Sequence, residues 1–576
     1  MTIDRRRFLS AGALFTAGAG MGCTIDPQLA KDTADLCAAH TANRPLRIDM
    51  HIHLLNNKDV DGASMFAREF ETATGSARLA RTLVRGSARV VLGAFDLATH
   101  TAAAETAFLE DLVERKGPSI FDFCLEASER QTALQHDEEG LDESNDVGDG
   151  RLWGISSHRT RNAALLMAKY PEIDVFMPAI VDLFDRRSSE FGIATADDVR
   201  LRTTPLKEKI AFHRALNLAT RGRFLPMVGF SPGRQYLEDP NFTLAPGTPL
   251  ALVRDAILNQ GFVGVKLHPS VGFSPIRNPA LACDTRSIFR LSPLPQAEAQ
   301  AYDRAMKMLF EFCEEHGVPL LTHASDSLSH NIKCMHQGDD PALWTSSTLH
   351  WVEVSRDHPD LRIVLAHFAS RFHDQLRALG RGDKRPYGSG TLPVEYEEGQ
   401  HPAETGEPFG RLKPSTWLEI ALRDMRERPD SGLYLDLSFM PHLVLSQAIG
   451  IDGAEPKFGL INGALTSPAT EYGGSYARSF TQFLQAPENA MLRERVLYGT
   501  DWPMPGIAGI SNYGLYRRAI ERILPLQGEY AGNIMGDNAA RVFGLRPHDA
   551  TCKRLIDFYE RNRVDPGSVG WLSRVS

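Results

Sequence analysis

The stretch RIDMHIH, residues 47–53, has the pattern of a short β-strand that ends in a His-x-His pair. Side chains alternate between the faces of a strand with a period of two, so His51 and His53 point the same way. Two imidazoles at the end of one strand supply half of a metal site, although two histidines on a half-buried face would give the same pattern. What the chain places at the ends of its other strands decides between these interpretations.

Strand patterns and helix patterns alternate along the whole chain. After residues 47–53, strands are predicted at 173–181, 224–230, 262–268, 318–323, 361–367, 432–438 and 495–501. Helices are predicted at 62–84, 102–115, 160–170, 207–220, 250–260, 298–316 and 347–358, and in the region 513–561. Several strands are nearly continuous apolar runs, which is typical of a parallel sheet covered by helices. Eight such units predict an α/β fold, a (β/α)8 TIM-type barrel.

The domain organisation follows from the gaps in this alternation. Segments near 117–157 and 372–416 are too long for plain connectors, and we expect them to be insertions over one face of the barrel. The barrel is predicted to span 41–545, and residues 546–576 to form a C-terminal helical tail. Residues 1–40 are predicted to be a targeting segment and linker outside the fold.

The N-terminus resembles an export signal. Residues 4–10, DRRRFLS, resemble the twin-arginine pattern, and the apolar run at 11–22 is too short and too weakly hydrophobic to span a bilayer. Residues 20–23, GMGC, resemble a lipoprotein cleavage box with Cys23 as the lipidation candidate; cleavage to a soluble exported protein is the alternative. We therefore expect export to the periplasm or cell envelope, with membrane contact only through a lipid on Cys23.

Composition narrows the range of partners. The chain has 576 residues, 43% of them hydrophobic and 23% charged, with a net charge of −9. This balance gives no basic face for nucleic acid, so we expect a small-molecule substrate, and the sequence leaves a homo-oligomer open. The seven cysteines form no Cys-x-x-Cys pair, which argues against a thiolate metal site.

Metal-competent side chains recur where the predicted strands end. The first strand ends in His51 and His53, and the later strands carry, in chain order, Lys266, His268, His323, His367 and Asp501. The carboxyl ends of the strands of such a barrel meet at one face, where barrel enzymes build their active sites. The repetition at one register favours a metal site over incidental histidines.

These motifs resemble a known family. GVKLHP at 264–269, LTH at 321–323, LAHF at 365–368, YGTDWP at 498–503 and the closing GDNAARVFG at 536–544 are similar to motifs of the amidohydrolase superfamily. Within it they resemble the amidohydrolase-related branch that includes aminocarboxymuconate-semialdehyde decarboxylase. The motifs follow the order and spacing of the family through about residues 45–545, and the similarity between the motifs is weak.

The resemblance implies a ligand set and a base. His51, His53, His323 and Asp501 would bind one divalent metal, zinc or else manganese, with a position left open for water. The metal would lower the pKa of that water, and Asp501 would act as the general base. His367 would polarise the substrate or carry a proton; a second metal ligand and a structural histidine are its alternatives.

Lys266 has two alternative roles. In binuclear members of the superfamily the corresponding lysine is carboxylated and bridges two metals, and here His323 and His367 would complete a second-metal site, with His268 on the same strand face as Lys266. Otherwise Lys266 would bind a substrate carboxylate. Arg371, His373 and Trp502 follow strand ends closely and are candidates for the substrate pocket, since arginine binds carboxylates in bidentate fashion.

Three functions are compatible with these features. The leading expectation is an exported metal-dependent hydrolase in which a metal-bound water attacks an amide, lactone or ester-like carbonyl. The first alternative is a metal-dependent, non-oxidative decarboxylase of a small carboxylic acid. The second is a non-catalytic binding protein on a barrel scaffold, against which the complete ligand set argues.

Overall fold

The computed structural model describes most of the barrel and part of the inserts: residues 31, 44–56, 59, 100–129, 158–182, 204–279, 295–325, 345–369, 394–396, 412–414, 416–440, 475–503, 520 and 529–575. The predicted export signal with Cys23, the predicted helix at 62–84, and the pocket candidates Arg371 and His373 lie outside these residues.

Ten strands are described within these residues. They are β1 (Ile48–Ile52), β2 (Val175–Pro178), β3 (Met227–Phe230), β4 (Gly264–Leu267), β5 (Leu320–Thr322), β6 (Ile363–Leu365), β7 (Val394–Tyr396), β8 (Leu412–Pro414), β9 (Leu433–Asp436) and β10 (Val496–Leu497). β1 and β2 form a parallel pair, and a six-stranded parallel sheet has the order β10-β9-β6-β5-β4-β3.

Isolated parallel bridges join the β1–β2 pair to both edges of the six-stranded sheet. Two lie between the β2 segment and the β3 segment, from Phe176 to Phe224 and from Ala179 to Met227, and one links Ile52 of β1 to Trp502, after β10. These two seams have no continuous ladder, so the ladders alone do not close the barrel. The eight strands nevertheless follow one another in the order of a circle, and the predicted TIM-type α/β fold is confirmed.

Helices alternate with these strands and cover the sheet. They are Ala102–Lys116, Ile120–Glu129, Arg159–Lys169, Leu206–Ala219, Pro232–Glu238, Pro249–Asn259, Gln296–Glu315, Thr348–Asp357, Thr416–Glu427, Ser475–Gln485, Leu492–Arg495, Glu529–Gly532, Asn538–Val542 and Ala550–Arg561. The glycines predicted to end two of them do so in left-handed conformations, Gly261 with φ 78° and Gly317 with φ 59°.

One predicted segment differs from what the sequence led us to expect. The region 513–561, predicted as one helical region, is interrupted: a π-helical turn spans Asn533–Asp537, and Gly544, at φ 65°, ends the following helix. The predicted inserts also contain regular structure, namely the helix Ile120–Glu129 and the antiparallel pair β7–β8.

The closing segment ties the first and last barrel strands together. Gly536 packs so closely on the Leu46 carbonyl group, just before β1, that a Cβ atom would overlap it. Asn538 Nδ2 donates to the carbonyl oxygen of Val496 in β10 at 2.8 Å. The tail continues this packing, because Tyr559 and Trp571 are buried in the same apolar cluster as Leu46 and Ile48. Among the described residues, no helix is long and apolar enough to cross a membrane.

Candidate metal centre

His51 and His53 each turn one ring nitrogen to a hydrogen-bond acceptor. His51 Nδ1 lies 2.9 Å from Asp436 Oδ2, and His53 Nδ1 lies 2.8 Å from the carbonyl oxygen of Ala179. Each Nδ1 therefore carries the proton that it donates, and each Nε2 keeps a lone pair. Burial, followed by the charge of Lys266, lowers the pKa of His51 well below its usual value, which favours the neutral ring.

Asp501 brings a carboxylate against both of these nitrogens. Its Oδ1 atom lies 3.0 Å from His53 Nε2 and 3.5 Å from His51 Nε2. Burial alone would raise the pKa of Asp501, but the neighbouring His51, His53 and His367 outweigh burial and lower the pKa to about 2, so the carboxyl is ionised at neutral pH. The backbone of Asp501 is left-handed, with φ 60°, and its N–H donates to the His51 carbonyl oxygen at 2.7 Å.

The donor set fits a divalent cation. One ligand atom from each of His51, His53 and Asp501 lies within 4.8 Å of the others, and in the described part of the chain no other group of three such residues has this geometry. Two imidazole nitrogens and a carboxylate oxygen converge here, and a bound cation would favour such a close approach of acceptor atoms. Two imidazoles and a carboxylate suit zinc or manganese.

His323, the fourth predicted ligand, lies outside that group, but like His51 and His53 it carries its proton on Nδ1. The His367 Nδ1 atom lies 3.2 Å from the carbonyl oxygen of Ser438, which can only accept, so Nδ1 donates. His367 Nε2 then accepts from His323 Nδ1 at 3.0 Å, and His323 Nε2 keeps its lone pair. Burial lowers the pKa of both histidines, consistent with neutral rings. His268 stacks on His323, with ring centroids 4.4 Å apart.

Lys266 lies at the edge of the group as a buried amine. Its Nζ atom donates to His51 Nε2 at 3.0 Å, and Lys266 is only 2% exposed. Burial lowers the pKa of Lys266 to about 8, although the carboxylates of Asp501 and Asp436 oppose the shift. The amine therefore keeps most of its charge at neutral pH, and a carboxylated Lys266 that bridges a second metal stays a prediction.

The sequence interpretation missed four buried residues that support the site. Asp436 and Ser438 contact both His51 and His367 from the end of β9. Asp49 accepts from the backbone N–H and the hydroxyl of Thr500, at 3.1 and 2.7 Å, next to Asp501. The available signal was polar residues at period two within apolar strand ends, as in LDLS at 435–438.

Of the three pocket candidates, Trp502 alone is described. Its backbone carbonyl oxygen accepts from the His53 N–H at 2.7 Å, and its half-buried indole packs on the main core. The backbone contact pairs the end of β10 with the end of β1, so this residue helps to hold the two metal-group strands together.

An α/β barrel with histidines and an aspartate at its strand ends defines a metal-dependent enzyme of the amidohydrolase type. The chain belongs to the amidohydrolase family, because the model of the family described as "Amidohydrolase" matches residues 241–545, just over half of the chain. No curated protein matches it.

Among solved structures, the chain is similar to 5-carboxyvanillate decarboxylase from Novosphingobium aromaticivorans DSM 12444, complexed with manganese (14% identity, 88% of this chain and 97% of that one, TM-score 0.34). It is also similar to 5-carboxyvanillate decarboxylase from Sphingomonas paucimobilis (14% identity, 68% and 85%, TM-score 0.31). A third is a probable 2-pyrone-4,6-dicarboxylic acid hydrolase from Acinetobacter baumannii (9% identity, 66% and 88%, TM-score 0.32).

Proposed function

We propose that this protein is a metal-dependent enzyme that removes the carboxyl group of a small carboxylic acid without an oxidant. The observation that carries the proposal is the buried ammonium of Lys266 beside the His51–His53–Asp501 group. A cation in such a place favours an anionic substrate, because a carboxylate would compensate its charge in a site that excludes water.

His51, His53 and Asp501 would hold the metal, with the Nε2 atom of His323 available as a fourth donor. A bound divalent cation would supply an electrophile that polarises substrate oxygen atoms. Asp501 stays ionised because its pKa is held at about 2, so it serves as a ligand and does not carry a proton to carbon. This differs from the sequence-based expectation for a decarboxylase, in which Asp501 protonates the carbon.

Lys266 is the residue suited to deliver the proton. In the reaction the bond between the carboxyl carbon and its neighbour breaks, carbon dioxide leaves, and the electron pair on the neighbouring carbon takes a proton. The ammonium group of Lys266, buried 3.0 Å from His51 Nε2, would pair with the carboxylate and supply the proton. Water then reprotonates the amine, so no oxidant or reductant is needed.

Hydrolysis is the second candidate, and the ionised state of Asp501 favours it. An ionised carboxylate beside the donor group can accept a hydrogen bond from water and orient it for attack on a lactone or amide. In that reaction Lys266 would bind a carboxylate of the substrate without taking part in the proton transfer.

The deciding experiment measures carbon dioxide release and lactone or amide hydrolysis by the purified protein, after removal of metal and after addition of zinc or manganese. We expect metal-dependent carbon dioxide release from one or more small aromatic or aliphatic carboxylic acids. Asp501→Asn should abolish it, and Lys266→Met should lower kcat and raise KM. Metal-dependent hydrolysis without carbon dioxide would establish the second candidate, and full activity without metal would refute both.

We also propose that the protein acts outside the cytoplasm. The twin-arginine-like segment supports this proposal, as does Cys124, which is buried and disulfide-bonded, since structural disulfides persist in oxidising compartments. Replacing Arg5 and Arg6 with lysine should leave the protein in the cytoplasmic fraction of the cell. Export that is unchanged in this double variant would contradict the proposal.

A further inference from the structure

We infer that Asp436 and Ser438 are positioning residues that hold His51 and His367 as one hydrogen-bonded unit, and thereby set both metal affinity and the position of His367. The inference rests on the proposed metal-dependent function and goes beyond it by assigning roles to two residues outside the ligand group. Both residues are fully buried at the end of β9, which pairs with β6 on one side and β10 on the other.

The two carboxylate oxygens of Asp436 serve different partners. Oδ2 lies 2.9 Å from His51 Nδ1, while Oδ1 accepts from the backbone N–H of His367 at 2.8 Å and of Ser438 at 3.0 Å. A carboxylate that takes the Nδ1 proton of a metal-binding histidine fixes the ring's tautomer and orientation and raises its basicity. One side chain therefore supports both histidines.

Ser438 adds a second link between the same rings. Its hydroxyl lies 2.9 Å from His51 Nδ1 and 3.2 Å from His367 Nδ1, and it donates to Asp436 Oδ1. Because Oδ1 receives the hydroxyl hydrogen, the serine oxygen is a second acceptor for the Nδ1–H groups that also point to Asp436 Oδ2 and to the Ser438 carbonyl oxygen. The hydroxyl thus lies between the two rings and limits their rotation.

The backbone at His367 makes this support necessary. His367, Phe368 and Ala369 have φ values of 59°, 54° and 51°, a left-handed run that L-residues other than glycine adopt rarely. The bond from the His367 N–H to a buried carboxylate is the contact that holds the first residue of this run. Loss of the carboxylate charge is expected to release the turn and to move the His367 ring away from His323.

The test compares zinc affinities of the purified full-length protein, measured by competition with a chromophoric chelator. Asp436→Asn should bind zinc about 10- to 100-fold more weakly than the wild type, because an amide that presents its NH₂ group to His51 favours the wrong tautomer. Ser438→Ala, which leaves no charge unpaired, should bind about 3- to 10-fold more weakly. The matched control is Asp424→Asn, since Asp424 is equally buried, bonded to Arg428 and Ser431, and lies on the helix Thr416–Glu427.

The control should lose melting temperature and keep its zinc affinity within about twofold, which separates positioning from general destabilisation. At saturating zinc, Asp436→Asn should still lower kcat about tenfold, and this loss should shrink in a His367→Ala background, because the two changes act through one ring. If Asp436→Asn does not fold, Ser438→Ala decides the metal part. Wild-type affinity in the variants overturns the positioning role alone, whereas wild-type protein that binds no zinc and no manganese overturns the proposed function with it.

Discussion

His213 should make the protein lose stability as the pH falls, although it lies outside the candidate site. The side chain is buried within the helix Leu206–Ala219, its Nδ1 donates to the Lys209 carbonyl oxygen at 2.8 Å, and its Nε2 has no hydrogen-bond partner among the described residues. Burial lowers the pKa of His213 from 6.5 to about 4, even though the bond to Lys209 favours the charged ring.

The size and sign of the effect follow from this shift. Between about pH 4 and pH 6.5 the unfolded chain binds a proton on His213 that the folded chain does not, so the free energy of unfolding rises with pH. The contribution is fully present above the unfolded pKa and is lost as the pH falls through the folded pKa. A difference of 2.5 units (6.5 minus 4) corresponds to about 3 kcal/mol, or about 1.4 kcal/mol per pH unit inside the window.

The assay is urea unfolding of the wild type and His213→Gln at a series of pH values from about 8.5 to 4.5. Glutamine keeps a donor for the Lys209 carbonyl group and does not titrate, so the stability difference between the two proteins isolates the histidine. We expect this difference to stay constant above about pH 7.5 and to shift by about 2–3 kcal/mol in favour of the variant by pH 4.5. A difference that stays the same over the whole range would refute the reasoning.

Two further predictions concern stability. Asp174→Asn should lower the free energy of unfolding by about 2–4 kcal/mol, because its buried carboxylate binds both Arg44, before β1, and Arg574, in the C-terminal tail. Arg574→Ala alone should cost less, and equal losses from the two changes in denaturant unfolding would contradict this view. Gly536→Ala should cost about 3 kcal/mol or more, because its Cβ atom would overlap the Leu46 carbonyl group, and an unchanged melting temperature would show that this contact is not tight.

The sequence predicted the parts of the fold and the site that depend on strand periodicity. All eight barrel strands lie within the segments predicted as strands, and three of the predicted metal ligands, His51, His53 and Asp501, do converge. This was possible because the carboxyl ends of all barrel strands meet at one face. Residues that end different strands are therefore expected to lie close together, whichever strands are neighbours. The metal itself and the substrate stay predictions.

The residues that the sequence interpretation missed act through contacts far apart in the chain. Asp436 lies 385 residues from His51. The alternation in LDLS at 435–438 indicates that Asp436 and Ser438 share a strand face, but not that this carboxylate meets an imidazole. The sequence also did not predict the burial of Arg159, which binds Asp59 and Glu105. A single arginine at the start of a helix has the sequence pattern of a surface residue.

Asp501 and His367 are held by the same physical device on two sides of the site. Each is a non-glycine residue with φ near 60° within four residues of a strand's carboxyl end. Each is adjacent to a buried carboxylate that accepts backbone N–H groups: Asp49 at Thr500, and Asp436 at His367 itself. In a left-handed residue the side chain points in a different direction from that of a residue in an extended strand. Here the Asp501 carboxylate points at His51 and His53, and the His367 ring points at His323. Such backbone strain persists only where surrounding bonds enforce it, so the two buried aspartates mark the positions where the fold gives up local stability to form the site.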